Sequence, residues 1–332
     1  MQEDNELIKL LDRFPEKWWF WYYVSMNPNV TIEYVEAYPD KNWDWNGLSS
    51  NPNVTMEYVE AHPDKDWCWS RLSMNPNLTM EYVETHPDKN WSWSGLSLNP
   101  NVTMDYVQAH PENNWNWDSL SSNPNVTMEY VQAHPDKNWN WYFLSMNPTV
   151  TMEYVQAHPE QNWNWAGLSS NPNVTMEFVE SHSHKNWDWY GLSRNPNLTM
   201  EYVEAHPERN WDWDWYGLSR NPNLTMEYVE AHPDKNWDWN GLSQNSNVTM
   251  EYIEAHPDRN WSWYHLSLND FEKDPFFKKL PLVTPQQRML LNELHHVFDM
   301  PPGQPGVKPV FRKGGVGFWE GWEACSEVRY QK

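Results

Sequence analysis

Two cysteines, Cys68 and Cys325, are all the chain offers for covalent or metal crosslinks. They stand far apart and in unlike segments, which excludes a disulfide framework or a paired-cysteine zinc site and points to a reducing compartment. Glycine is scarce, 12 residues in 332, and its one rich stretch, Gly314 to Gly317, lacks the Lys-Ser/Thr of a phosphate loop. No run of about 18 apolar residues could cross a bilayer. The first fourteen residues carry several charges and no apolar signal core, so a soluble, non-secreted protein is expected. Basic residues are the last deficit. Lys and Arg number 23 against 46 Asp and Glu, a net charge of -23, which repels phosphate backbones and anionic lipid and argues against nucleic acid or membrane as partner.

What is abundant is tryptophan, 26 residues, beside a mean hydropathy of -0.92, and its source is a repeat. Asn-Pro recurs at Asn27, Asn51, Asn75, Asn99, Asn123, Asn147, Asn171, Asn195 and Asn221, with a degenerate copy at Asn245; the spacing is 24, but 26 after Asn195. In the Asn51 copy, Thr55 is a good helix N-cap and Glu57 sits where the helix dipole favours an anion. Val54 and Val59 have hydrophobic-staple spacing. A first helix is therefore expected from Met56 to Pro63, with Met56, Tyr58, Val59 and His62 on one side. A second is expected from Asp64 or Asp66, with Trp69, Leu72 and Ser73 on one face, until Asn75-Pro76 extends the chain.

Helices this short are marginal alone, so copies must stack into a shared core. The expected fold is an all-α solenoid of ten two-helix repeats over residues 27–268. Residues 1–26, with the worn half-copy Phe14–Val24, form an N-terminal cap, and residues 269–332 a small C-terminal capping module. Layers about 8–10 Å apart give a rod or superhelix roughly 90 Å long. In the C-terminal module, Thr284-Pro285-Gln286-Gln287 opens a helix through Phe298, and a last helix runs from Trp319 to Tyr330.

Columns present in nearly every copy read as structure. The paired tryptophans suit core packing better than a stacking platform for sugars or bases. The histidines His62, His86, His110, His134, His158, His182, His206, His232 and His256 could bind metal or sense pH if stacked. However, Tyr38 holds the same place, and a His in a last turn meets the carbonyl end of the dipole. Asn-x-Thr triplets such as Asn53-Val54-Thr55 read as caps rather than glycosylation sites. Acidic pairs such as Glu81 and Glu84 could mimic a phosphate backbone but also suit a solvated face. Ser183-His184, in place of Pro-Asp, should loosen one turn. Chemistry needs a singular site, and none is evident: no catalytic residue, metal ligand or cofactor is expected.

Variable columns are free to carry recognition. The residue after the second Trp runs Asn46, Ser70, Ser94, Asp118, Tyr142, Ala166, Tyr190, Tyr216, Asn240, Tyr264; the next is Gly except at Arg71, Ser119, Phe143 and His265. These share a face with Met74, Arg194 and Arg220, opposite Leu72. Tyr and Arg are enriched in binding hot spots, so Arg71, Tyr142, Phe143, Tyr190, Arg194, Tyr216, Arg220 and Tyr264 form the candidate protein-binding surface, and variation on an idle face is the competing reading. The register break Trp211–Trp215 adds two residues before one second helix.

The unit Asn-Pro-Asn-Val-Thr-x-Glu-x-Val…His-Pro-Asp-Lys-Asn-Trp-Asp-Trp-x-x-Leu-Ser, over residues 27–268, resembles the short Trp-rich repeats encoded by giant and other large eukaryotic DNA viruses. The ending Phe311-Arg312-Lys313-Gly314-Gly315-Val316-Gly317-Phe318-Trp319-Glu320 is similar to tails on proteins of such viruses, with Lys313 where those have Pro. The resemblance implies a viral protein in the cytoplasm or viral factory of an infected cell and supplies no catalytic residue. A non-enzymatic interaction scaffold is thus expected, with a structural component of the virion or factory as the alternative.

Overall fold

The protein is described from a computed structural model. It describes residues 6–209, 211, 216–269 and 271, with only the backbone at 6 and 216. The expected C-terminal helices and residues 212–215 of the register break lie outside the described residues.

The chain is all-helical among the described residues. Helices α1 (Glu6–Arg13) and α2 (Trp21–Met26) are followed by alternating first and second helices, from α3 (Ile32–Ala37) and α4 (Trp45–Ser49) to α21 (Met250–Ala255) and α22 (Trp263–Leu266). This is the expected α-solenoid. First helices begin where Thr caps them: Thr55 Oγ1 accepts from Tyr58 N at 3.2 Å, and the helix runs Met56–Ala61 with His62 as C-cap. Second helices start later than expected, at the second tryptophan, as in α6 (Trp69–Leu72). The residue before that tryptophan is an extended N-cap: Asp44 accepts from Gly47 N at 2.9 Å. The first tryptophan instead lies in the linking turn, where Trp67 Nε1 donates to His62 O at 2.9 Å.

The Asn171 unit keeps this turn despite its changed sequence. Ser183 has the N–H that a proline lacks and donates it to Glu180 O at 3.3 Å, while Trp187 Nε1 still reaches His182 O at 3.0 Å.

Three ladders, and at most interfaces a fourth, tie neighbouring units together. The Asn-Pro asparagine is fully buried, and Asn51 Nδ2 donates to Ser25 O and Asn27 O at 2.8 and 2.9 Å while its Oδ1 accepts from Asn53 N. A buried serine forms the second: Ser49 Oγ donates to Trp45 O and accepts from Cys68 N of the next unit. In the third, the second tryptophan of one unit meets the first of the next edge-on, Trp45 to Trp67 at 5.0 Å. In the fourth, a cation of the next unit lies over that second tryptophan, Lys65 over Trp45 at 5.2 Å, except where Asn113 and Gln161 stand in the cation's place. Buried backbone carbonyls thereby gain donors that the short helices cannot supply.

The two edges of the stack are packed unequally. A Cβ added to Gly47 would lie 2.3 Å from Tyr22 O, and one on Gly167 2.5 Å from Tyr142 O, so these adjacent second helices approach backbone to backbone, while at Gly95, Gly191 and Gly241 the nearest atom is a serine side chain at 2.8–2.9 Å. First helices are bridged by long side chains: Tyr106 Oη donates to Glu84 at 2.8 Å, and His232 Nε2 stands 3.2 Å from Glu204. A stack that is tight along one edge bends toward that edge, which puts the second helices on the concave side.

The bend closes on itself, and the expected open rod or superhelix is replaced by a ring. Asn27 Nδ2 donates to Ser267 O and Asn269 O, both at 3.0 Å. Phe20 N reaches Ser267 Oγ at 3.4 Å, Trp19 meets Trp263 edge-on at 5.1 Å, and Lys17 lies over Trp263 at 5.4 Å. All four ladders therefore continue from the last unit to the first. The front segment, expected as a half-copy, also carries a first helix: α1 buries Leu7, Leu10 and Leu11, and Trp19 Nε1 donates to Phe14 O as Trp67 does to His62. With it the ring has eleven units. The open rod or superhelix failed as an expectation because per-unit curvature depends on the relative spacing of two helix rows, which no single unit reveals.

Candidate functional site

Where the fixed columns end up decides what is left for function. The asparagine and serine columns are buried. Tryptophans such as Trp67, Trp115, Trp163 and Trp187 are buried and their partners half-buried in the same core, as the periodicity predicts. The histidines cap their own helices: His62 Nδ1 bonds Tyr58 O at 2.9 Å and His86 Nδ1 bonds Tyr82 O at 2.9 Å. Asn53, the asparagine of an Asn-x-Thr triplet, donates to Pro28 O and Val30 O of the preceding unit. Among the described residues no group of three His, Cys, Asp or Glu side chains is placed to hold a metal ion, and no helix is long and apolar enough to cross a membrane.

The outer row carries the acid. Glu57, Glu60, Glu81 and Glu84 are exposed on first helices. Burial first, and then the Glu60 carboxylate, push the Tyr82 phenol up to about 12; burial and Glu230 do the same to Tyr252. Glu180 is held below the usual carboxylate range, first by the hydrogen bond from Tyr202, with Arg209 and His206 adding to it. A groove of about 500 Å³ between Trp237, Trp239 and Arg259 repeats the cation-over-tryptophan stack, Arg259 standing 5.4 Å from the Trp239 ring.

The variable columns lie on the second helices and so line the inner wall. Tyr142 and Tyr190 project from it, 41 % and 37 % exposed. Arg194 lies 5.6 Å from the Tyr190 ring, and Arg220 is half-buried. Two candidates help build the wall itself. The Arg71 guanidinium lies 4.8 Å over the ring of Tyr22, two units back across Gly47. Phe143 and Met74 pack against the buried Leu98. Tyr264 belongs to the closure: its Oη shares a 2.9 Å hydrogen bond with Tyr23 Oη, and its ring meets Phe20 at 5.1 Å. Tyr216 opens α18 (Tyr216–Ser219), but its side chain lies outside the described residues.

Sequence reasoning placed these columns on the second helices but missed the closure. The signal was present in Phe20 and Tyr23, aromatic residues at positions where most later units carry a polar N-cap and glycine. At eleven second helices about 8 Å apart, the axes lie about 14 Å from the centre; a helix half-width of about 5–6 Å leaves an opening on the order of 17 Å.

Compared with known proteins, the chain matches no family model, no curated protein and no solved structure.

Proposed function

We propose that this chain is a non-enzymatic, ring-shaped interaction scaffold that holds a protein partner against its inner wall. In line with the viral resemblance of its repeat, it acts inside an infected cell. One observation carries the reading: the columns fixed between units are consumed by the four ladders, while those that vary converge on the concave side, where Tyr142 and Tyr190 are exposed. Rigid aromatic side chains on a preformed wall give contact area at little entropic cost. A structural role in a particle has less support, since an array closed on itself does not bridge other subunits end to end as a rod would.

The test is site-specific photocrosslinking in infected cells. A photoreactive phenylalanine analogue is placed at Tyr142 or Tyr190 inside the ring and at Glu81 outside. Capture of one protein from the inner positions but not from Glu81 supports the scaffold. Equal capture from all three, or none, refutes it, and capture of capsid proteins alone transfers the case to the structural role.

A further inference from the structure

The eleventh unit is assembled from both ends of the chain. Its ladder asparagine is Asn269, which donates to Ser243 O and Asn245 O at 3.0 and 3.1 Å and accepts from Phe271 N at 2.8 Å, as Asn51 accepts from Asn53 N. Its helices are α1 and α2, from the front. The repeat cannot run on past Phe271, because Glu272 stands where Val54 is fully buried and Lys273 where Thr55 caps a helix. The slot of the next first helix is filled by α1 instead, and Phe271 has a left-handed backbone, φ 49°, where the repeat breaks off. The 61 residues after Phe271 therefore start beside the seam.

Exposed aromatic residues gather at the same place. Of the large hydrophobic side chains exposed among the described residues, Tyr142 and Tyr190 line the inner wall. The others, Trp18, Phe20 and Tyr38, are 92, 44 and 45 % exposed around the helix-to-helix turns of the eleventh unit and the one that follows it. Their columns hold Asn42 and Asp66, Asp44 and Asn116, and His62 and His86 in other units. Trp, Phe and Tyr occur in these columns only in the two units nearest the start of the non-repeat segment. Phe20 meets Tyr264 across the seam, whereas Trp18 takes part in none of the ladders.

We infer that residues 275–283, Pro-Phe-Phe-Lys-Lys-Leu-Pro-Leu-Val, dock on the Trp18–Phe20–Tyr38 patch and strap the seam. The segment has the reach. Phe276 is five residues from Phe271, about 17 Å of extended chain, and a layer of six-residue helices with their turns is about 15 Å thick. It also has the charge: Lys278 and Lys279 with no acid, against 14 basic and 39 acidic residues in the chain up to Phe271. Glu16, Asp40 and Asp258 are exposed on the row of turns that carries the patch, Glu16 with Lys17 at 4.0 Å. Tethering keeps the segment at an effective concentration on the order of millimolar, which a separate partner has to exceed, and Pro275 and Pro281 lower the entropy lost on ordering it. Docked there, it clasps the two ends of the chain in addition to the ladders, so that opening the seam requires its release.

The experiment uses the purified full chain with the photoreactive phenylalanine analogue at Trp18, and at Glu81 as the control, irradiated at a low and a high protein concentration and mapped by mass spectrometry. The Trp18 probe should crosslink within one chain to residues 272–288, with a yield independent of concentration, and the Glu81 probe should not. Phe276→Asp with Phe277→Asp should lower the yield at least about ten-fold, since two apolar side chains lose their burial. Phe298→Asp, outside the strap, should leave the yield unchanged. A chain-to-chain crosslink that grows with concentration makes a second copy the occupant and overturns the strap. So do the absence of a crosslink to residues 272–288, an equal yield from Glu81, and a yield indifferent to the Asp pair. No partner enters this measurement, so its failure leaves the inner-wall reading standing.

Discussion

An interior interface and the seam between the chain's two ends are built from the same bonds yet differ in what holds them. Between the Asn27 and Asn51 units, Asn51 donates two ladder bonds, and the chain itself keeps the layers together. At the seam Asn27 donates the same two bonds to Ser267 and Asn269, but no peptide connects the layers within about 240 residues of sequence. Aromatic packing is heavier there: Phe20 and Tyr23, at positions where most interior interfaces have a polar N-cap and glycine, stack with Tyr264. The difference teaches that closure was built into the first unit, which matches the last as every unit matches its neighbour and adds contacts that offset the missing link.

Removing residues 1–24 should break the comparison most completely. It leaves ten units with two uncovered apolar end faces and a gap one unit wide, and such faces associate head to tail. Light scattering should show oligomers; a monomer with an unchanged melting temperature would refute the ring.

Asn147→Leu and Asn27→Leu separate the two interfaces. In the interior the loss strands Ser121 O and Asn123 O in a buried setting and should cost about 2–4 kcal/mol in urea unfolding. At the seam the layers can part and let water reach the carbonyls. Asn27→Leu should therefore cost less globally but enlarge the radius of gyration in X-ray scattering, which Asn147→Leu should not do.

Gly167→Ala should destabilise by about 1–3 kcal/mol, since the new methyl meets backbone at 2.5 Å. Gly95→Ala should do less, because its nearest neighbours are the Ser73 Cβ at 2.9 Å and Ser70 O at 3.0 Å. Equal melting temperatures for the two would contradict the tight inner edge.

The smallest effect concerns the outer edge. Tyr82 and Tyr252 titrate at about 12 in the fold and at about 10 unfolded. Between those values the unfolded chain binds fewer protons, so stability is intact below about pH 10 and falls as pH rises toward 12. Tyr82→Phe with Tyr252→Phe should flatten that fall in thermal melts; Phe178 already occupies this column naturally. An unchanged slope would count against the Tyr–Glu bridges.

Much of the ring was legible in the sequence because it is local. Thr55 as N-cap, Pro63 after the first helix, the tryptophans as core and the variable face of the second helices follow from residue type and spacing within one unit. The late start of the second helix was not legible, since Asp64 and Asp66 are as good N-caps as the residue before the second tryptophan. That choice was made by the Trp67 indole reaching back to His62 O.

What the sequence alone determined is the unit, its helices, and the fact that units must stack, because short-range propensity and apolar periodicity act within 24 residues. Only the tertiary structure decided the buried asparagine ladder, the concave side and the closure at eleven units. Each depends on the distance between two rows of helices, and a small difference in that distance, added up over the whole array, decides between a rod and a ring.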